Sequence, residues 1–160
     1  MKALSDNERA LVLRIVAEHQ SRPGPLIEIL HAVQASLGFV PAAAVPVIAQ
    51  GLNLSRAEVH GVVTFYHFFR DKPAGRHIVR LCQAESCKAM GGEALAQHAK
   101  QRLGVDFHET TPDGNFTLEP VYCLGNCACS PALMIDDDDL RGRVTAQAFD
   151  EIVTLMGRPT

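Results

Sequence analysis

Tryptophan is absent from this 160-residue chain, and all aromatics together make up only 6% of it. Few side chains are therefore available on which bases or sugars could stack. There is no excess of positive charge either. Lys and Arg number 15 against 18 Asp and Glu, a formal net charge of -3, so counterion release gives nucleic acid no hold on the chain. No apolar stretch approaches the roughly 18 to 20 residues a bilayer crossing needs, and Met1 opens a polar, mixed-charge segment without a signal-peptide core. The expectation is a cytoplasmic protein with no direct membrane insertion. Gly91-Gly92 lacks the surrounding pattern of a phosphate-cradling loop, so neither nucleotide nor flavin is expected to bind here. A Cys-x-x-Cys redox pair is also missing, which argues against a thiol-disulfide oxidoreductase. What remains is a chain with 47% hydrophobic and 21% charged residues, able to bury a core as one domain or as two small ones.

Two halves differ in pattern. Ser5 with Glu8 forms a capping box that opens a first helix ending near His19. Arg22-Pro23-Gly24-Pro25 stops it. Leu26, Leu30, Val33 and Leu37 then repeat at helical spacing up to Gly38. A third helix is predicted over Pro41 to Gly51, with Pro46 tolerated early, and Ser55 with Glu58 caps a fourth. The aromatic cluster Phe65, Tyr66, Phe68, Phe69 follows, and Asp71 to Gly75 breaks the pattern. The second half opens with a strand at His77 to Leu81 that runs into Cys82, then a helix over about Gly92 to Leu103. A strand over Asn115 to Tyr122 precedes Cys123. Two short strands are predicted at Ala132 to Ile135 and Arg143-Val144, hinged at Asp136 to Asp139, before a helix capped by Thr145. The expected organisation is α+β, with a helical bundle over residues 1–75 and a second domain over 76–160.

The second domain carries all five cysteines. Cys82 and Cys87 are separated by four residues and Cys123 and Cys127 by three, and each pair follows a predicted strand. Two loops can thus meet at one end of a sheet. Each loop is rich in small or polar residues, which lets backbone N–H groups turn toward whatever the sulfurs hold. Four soft anionic ligands suit zinc or an iron-sulfur cluster. Single zinc ions are commonly gripped by tight Cys-x2-Cys knuckles, so the wider gaps favour a two-iron cluster, with a zinc-stapled interaction module and plain thiols as the alternatives. Disulfides would require an exported protein.

Three blocks carry a family resemblance: Leu30 to Pro41 (LHAVQASLGFVP), Val59 to Tyr66 (VHGVVTFY) and Val121 to Cys127 (VYCLGNC). They are similar to the thioredoxin-like 2Fe-2S subunit of the complex I family, and the resemblance runs nearly end to end. That subunit type occurs in NADH dehydrogenase, in NAD-linked hydrogenases and as the gamma subunit of NAD-dependent formate dehydrogenases. Cys87 to Gly92 (CKAMGG), Cys127 to Pro131 (CACSP) and Arg141 to Thr145 (RGRVT) resemble the formate dehydrogenase gamma subunit most. Ile135 to Leu140 (IDDDDL) departs from the Asn-Asp turn with aromatic residues of respiratory relatives. The resemblance implies a thioredoxin-like fold for the second domain and one 2Fe-2S cluster held by Cys82, Cys87, Cys123 and Cys127. It implies an electron carrier that is no enzyme by itself. Its partners would be a flavin subunit that binds FMN and NAD and a formate-oxidising subunit with a molybdenum or tungsten cofactor.

The remaining features have plainer readings. Cys129 is expected to be a packed thiol. The seven histidines show no metal-binding helical pair, although His60 and His67 flank aromatic residues. The four consecutive aspartates are closer together than a calcium loop's ligands and are read as a solvated turn. The aromatic cluster is expected to be either the seam joining the two halves or, where exposed, a docking surface.

Overall fold

The computed structural model describes residues 3–157 and divides the chain into two compact units, the first ending at Pro73 and the second starting at Ala74. The architecture is α+β. Among the described residues no helix is long and apolar enough to cross a membrane.

The first unit is built from four helices: α1 (Asp6–His19), α2 (Leu26–Leu37), α3 (Val45–Leu52) and α4 (Arg56–Phe65). Both predicted capping boxes form. Ser5 and Ser55 each accept from the backbone N–H three residues on, while Glu8 and Glu58 reach back to the cap N–H at 2.8 Å. Gly38 ends α2 in the left-handed region, at φ 81°. Helix α3 starts later than expected, because residues 42–44 form a turn closed by the Ala44 N–H on the Pro41 carbonyl. A helix begun at Pro41 would place Pro46 in its interior, where its missing N–H breaks the ladder; begun at Val45, Pro46 falls in the first turn. The core comprises Val12, Ile29, Leu30, Val33, Ile48 and Val59, all fully buried.

One polar side chain sits in that core. Gln34, 6% exposed, donates to the Phe68 carbonyl at 2.9 Å and accepts from the Arg70 N–H at 2.8 Å. It fixes the segment after α4. Phe69 is consequently buried in the core of this unit, while Phe65, Tyr66 and Phe68 stay exposed.

The second unit is a five-stranded mixed sheet of order β2-β3-β1-β4-β5, with β1 (His77–Cys82), β2 (Glu109–Thr110), β3 (Phe116–Val121), β4 (Leu133–Ile135) and β5 (Asp139–Arg141). The central strand β1 runs parallel to β3, from His77 opposite Phe116 to Cys82 opposite Val121, and antiparallel to β4. Three helices complete the unit: α5 (Glu85–Ala89), α6 (Gly92–Leu103) and α7 (Ala146–Met156). Val79, Leu118, Leu133 and Phe149 form the dry centre of its core. Asp150 on α7 ties the two long helices, lying 2.9 Å from His98 and 3.3 Å from Arg102 on α6.

One expectation needs correction here. The last strand lies at Asp139–Arg141, not at Arg143-Val144. Asp136 turns the chain at φ 54° with its carboxylate accepting from the Ile78 N–H at 2.9 Å, so the hairpin closes early and Asp139 already belongs to the ladder. Arg143, at φ 52°, cannot extend a strand. Helix α5 and strand β2 were not expected at all. Buried Arg80 on β1 also meets three acceptors: Glu119 Oε2 at 3.3 Å, Asp137 Oδ1 at 3.0 Å and the Asp136 carbonyl.

Candidate iron-sulfur site

The parallel pairing of β1 and β3 puts both cysteine loops at one end of the sheet. Cys82 is the last residue of β1, and Cys123 comes two residues after β3 ends at Val121. The Cys82 N–H donates to the Ala132 carbonyl at 3.1 Å and the Gln83 N–H to the Val121 carbonyl at 2.7 Å, so both loops leave from a joined base. Short helix α5 then folds the first loop back and brings Cys87 to within hydrogen-bonding reach of Cys82. Both thiols are buried, together with Ala132 and against Ala84, Val121 and Leu124. Cys123 and Cys127 are exposed. Among the described residues no three Cys, His, Asp or Glu side chains converge as they would on a single metal ion.

Backbone N–H groups point at the sulfurs of Cys82, Cys87 and Cys123. Those of Ala84 and Leu124 hydrogen-bond to Cys82, that of Ala132 to Cys87, and that of Gly125 to Cys123 Sγ at 3.3 Å. Burial pushes the Cys82 thiol above its ordinary value despite those donors. Burial acts in the same sense on Cys87 and is its largest single influence. Hydrogen bonds from Ser130, Cys82 and the Ala132 N–H together outweigh it and hold Cys87 below the ordinary value.

Two close approaches lock these loops. A Cβ on Gly92 would lie 2.6 Å from the Cys87 carbonyl oxygen, and one on Gly142 would lie 2.6 Å from Cys129 Cβ. The Arg143 N–H donates to the Cys129 carbonyl at 2.6 Å and the Val144 N–H to the Pro131 carbonyl at 3.0 Å, so the segment expected as a strand straps the second loop instead. Cys129 is half-buried under that strap.

The family model for thioredoxin-like [2Fe-2S] ferredoxins matches residues 12–156. The chain belongs to this family. A [2Fe-2S] cluster is therefore its cofactor, and the work of this thioredoxin-like [2Fe-2S] ferredoxin is electron transfer. It is 42% identical over 135 residues to an NADH-quinone oxidoreductase subunit of Pseudomonas aeruginosa, covering 84% of this chain and 81% of that one. The corresponding NADH-quinone oxidoreductase protein of Escherichia coli is 35% identical over 150 residues, 94% of this chain and 90% of its own. The HndA protein of the NADP-reducing hydrogenase of Solidesulfovibrio fructosivorans is 30% identical over 142 residues, 89% and 82% of the two chains. A crystal structure of NAD+-reducing [NiFe]-hydrogenase in the H2-reduced state shares the fold, with TM-score 0.68 at 22% identity over 82% of this chain and 22% of that chain.

The donor set of this ferredoxin fits the cluster in kind: thiols for soft iron, small residues between them, and N–H groups aimed at sulfur to offset the anionic charge. Sequence reasoning overlooked the hydroxyls of Ser86 and Ser130. Ser130 Oγ lies 3.4 Å from Cys87 Sγ and 3.0 Å from Ser86 Oγ, contacts that join residues more than forty positions apart and leave no local signal. Two histidines of this unit are engaged elsewhere: His77 lies 3.1 Å from Asp136 and His98 pairs with Asp150.

Proposed function

We propose that Cys82, Cys87, Cys123 and Cys127 hold the cluster and that the chain relays electrons beside a flavin subunit that binds FMN and NAD, in an NAD-linked oxidoreductase assembly. The single observation that carries the ligand assignment is the parallel β1–β3 register, which delivers both cysteine loops to one end of the sheet. When bound, a cluster with four thiolate ligands takes up and gives back one electron and has no open position for a substrate. The protein's part is to hold and to shield. Buried Cys82 and Cys87 keep water from one side of the centre, and the exposed pair Cys123 and Cys127, beside the 71% exposed ring of Tyr122, lies where a partner surface can approach. Names of the relatives support an assembly of this kind, since they are subunits of NADH-quinone oxidoreductase and of an NADP-reducing hydrogenase.

Within that class, formate is the electron donor we infer. The segments Cys87 to Gly92, Cys127 to Pro131 and Arg141 to Thr145 support it by their likeness to formate dehydrogenase gamma subunits, and the Asp136 to Asp139 turn departs from respiratory relatives. A third partner would then be a formate-oxidising subunit with molybdenum or tungsten. Affinity capture of the tagged chain from its own cells tests this directly. Co-purification with a flavoprotein and formate-dependent NAD reduction supports the reading, and co-purification with quinone-reducing membrane subunits replaces formate with NADH-quinone chemistry. A colourless zinc-containing chain without a paramagnetic signal on one-electron reduction would refute the relay altogether.

A further inference from the structure

We propose that Ser130 raises the electron affinity of the centre by giving its hydroxyl hydrogen to the Cys87 sulfur, while Ser86 takes over the carbonyl that Ser130 then leaves. The proposal rests on Cys87 being a cluster ligand, as assigned above. Ser130 is only 8% exposed, and its Oγ has three polar neighbours: the Cys127 carbonyl oxygen at 2.9 Å, Ser86 Oγ at 3.0 Å and Cys87 Sγ at 3.4 Å. Ser86 Oγ lies 3.3 Å from that same Cys127 carbonyl. Four polar atoms from two loops thus form one closed group.

Counting hydrogens decides who donates to whom. With Cys87 as a thiol, its S–H donates to Ser130 Oγ and Ser130 donates to the Cys127 carbonyl. A sulfur bound to iron has lost its proton and can only accept. Two hydroxyl hydrogens then face two acceptors, the Cys87 sulfur and the Cys127 carbonyl. Both serines reach the carbonyl, but only Ser130 has a contact with the sulfur. The assignment that satisfies everything is Ser130 to sulfur and Ser86 to carbonyl, and it needs nothing more than rotation of two hydroxyls. The Ala132 N–H also serves Cys87, so the sulfur has a fixed donor from the backbone and a second from Ser130.

A hydrogen bond to an anionic acceptor strengthens as charge on the acceptor grows. Reduction adds negative charge to the ligand sulfurs, so a donor at Cys87 favours the reduced centre. Removing it lowers the potential. The test is redox titration of the full chain with its cluster, followed by the paramagnetic signal of the reduced centre and accompanied by iron and sulfide analysis. Ser130→Ala is expected to retain iron and sulfide and to lower the one-electron reduction constant about tenfold, about 59 mV for a one-electron couple. Ser130→Thr keeps the wild-type potential, and Ser86→Ala gives a smaller fall because Ser130 is then shared between two acceptors. An unchanged or raised potential in an intact Ser130→Ala centre overturns the proposal. Should Ser130→Ala hold no cluster, Ser130→Thr against Ser130→Val decides the matter, being matched in shape and different only in the hydroxyl. Equal potentials in that pair overturn the proposal, and a higher potential in the threonine variant supports it. A Cys87→Ser chain that keeps its iron and sulfide overturns the ligand assignment first, which separates that failure from this one.

Discussion

Gly92→Ala sets two effects of known size against each other beside the cluster loop. Glycine in a helix interior costs up to about 1 kcal/mol relative to alanine, so propensity alone predicts a gain. Gly92 is the first residue of α6, which makes that gain smaller still. Against it, the new Cβ would sit 2.6 Å from the Cys87 carbonyl oxygen and 2.8 Å from its carbonyl carbon. These are backbone atoms held by the turn in which the Met90 N–H donates to that carbonyl, so no rotamer relieves the clash. Overpacking of this kind costs about 1–3 kcal/mol, leaving a net loss of roughly 1–2 kcal/mol. For a unit of this size that lowers Tm by roughly 5–15 °C. Gly61, inside α4 with nothing within 4 Å of its would-be Cβ, is the control, and Gly61→Ala is expected to stabilise by about 1 kcal/mol. Thermal and urea unfolding of both variants gives the signs, and iron analysis of Gly92→Ala reports whether Cys87 is displaced. If Gly92→Ala is as stable as Gly61→Ala with full iron, the loop can yield and the close approach is not a lock.

Other consequences are equally direct. Cys129→Ser retains its cluster, whereas Cys82→Ser, Cys87→Ser, Cys123→Ser and Cys127→Ser each lose iron and sulfide; a Cys127→Ser chain that keeps both while Cys129→Ser does not would overturn the ligand assignment. Gln34→Ala removes both hydrogen bonds its amide makes, the one to the Phe68 carbonyl and the one from the Arg70 N–H, for a loss of about 1–3 kcal/mol measured by urea unfolding. Glu58 is held below its ordinary value of 4.5, chiefly by the Ser55 backbone N–H and then by the Ser55 side chain. A lowered carboxylate contributes stability above its unfolded-state value and loses it as pH falls through the folded one. The stability difference between wild type and Glu58→Gln is therefore present at neutral pH and is lost as the pH falls from the ordinary carboxylate value of 4.5 down through the lowered one; a difference independent of pH refutes this.

Features of the fold written in short stretches of chain were legible in the sequence. Both capping boxes, the Gly38 stop and the Gly92–Leu103 helix follow from residues three or four apart or from a terminating glycine. The placement of Cys82 and Cys123 at strand ends was legible for the same reason. Helix α5 was not, because five residues carry too little periodicity to show an amphipathic face. Strand β5 was misplaced because the Asp136 carboxylate is spent on the Ile78 N–H, a partner 58 positions away that nothing in the aspartate run announces. Ser130 fell into the same gap.

The misplaced strand also explains how the exposed loop keeps its position. Cys123 and Cys127 have little burial to hold them, unlike Cys82 and Cys87, so their loop relies on the hydroxyls at the Cys127 carbonyl and on further hydrogen bonds at its far side. The far-side bonds come from Arg143 and Val144, directly before Thr145, which caps α7 by accepting from the Ala148 N–H at 3.1 Å. Phe149 follows within the first turn of α7 and is fully buried in the core. Gly142 lies at the other end of the strap, against Cys129 and the Asn126 side chain, where no side chain would fit. A short path therefore connects the second cysteine loop to the packing of α7. Core packing of Phe149 fixes the cap, the cap fixes the strap, and the strap sets the frame from which Cys127 presents its sulfur. Position at the far side of this loop is supplied from α7, whereas in the first loop it comes from burial of the thiols themselves.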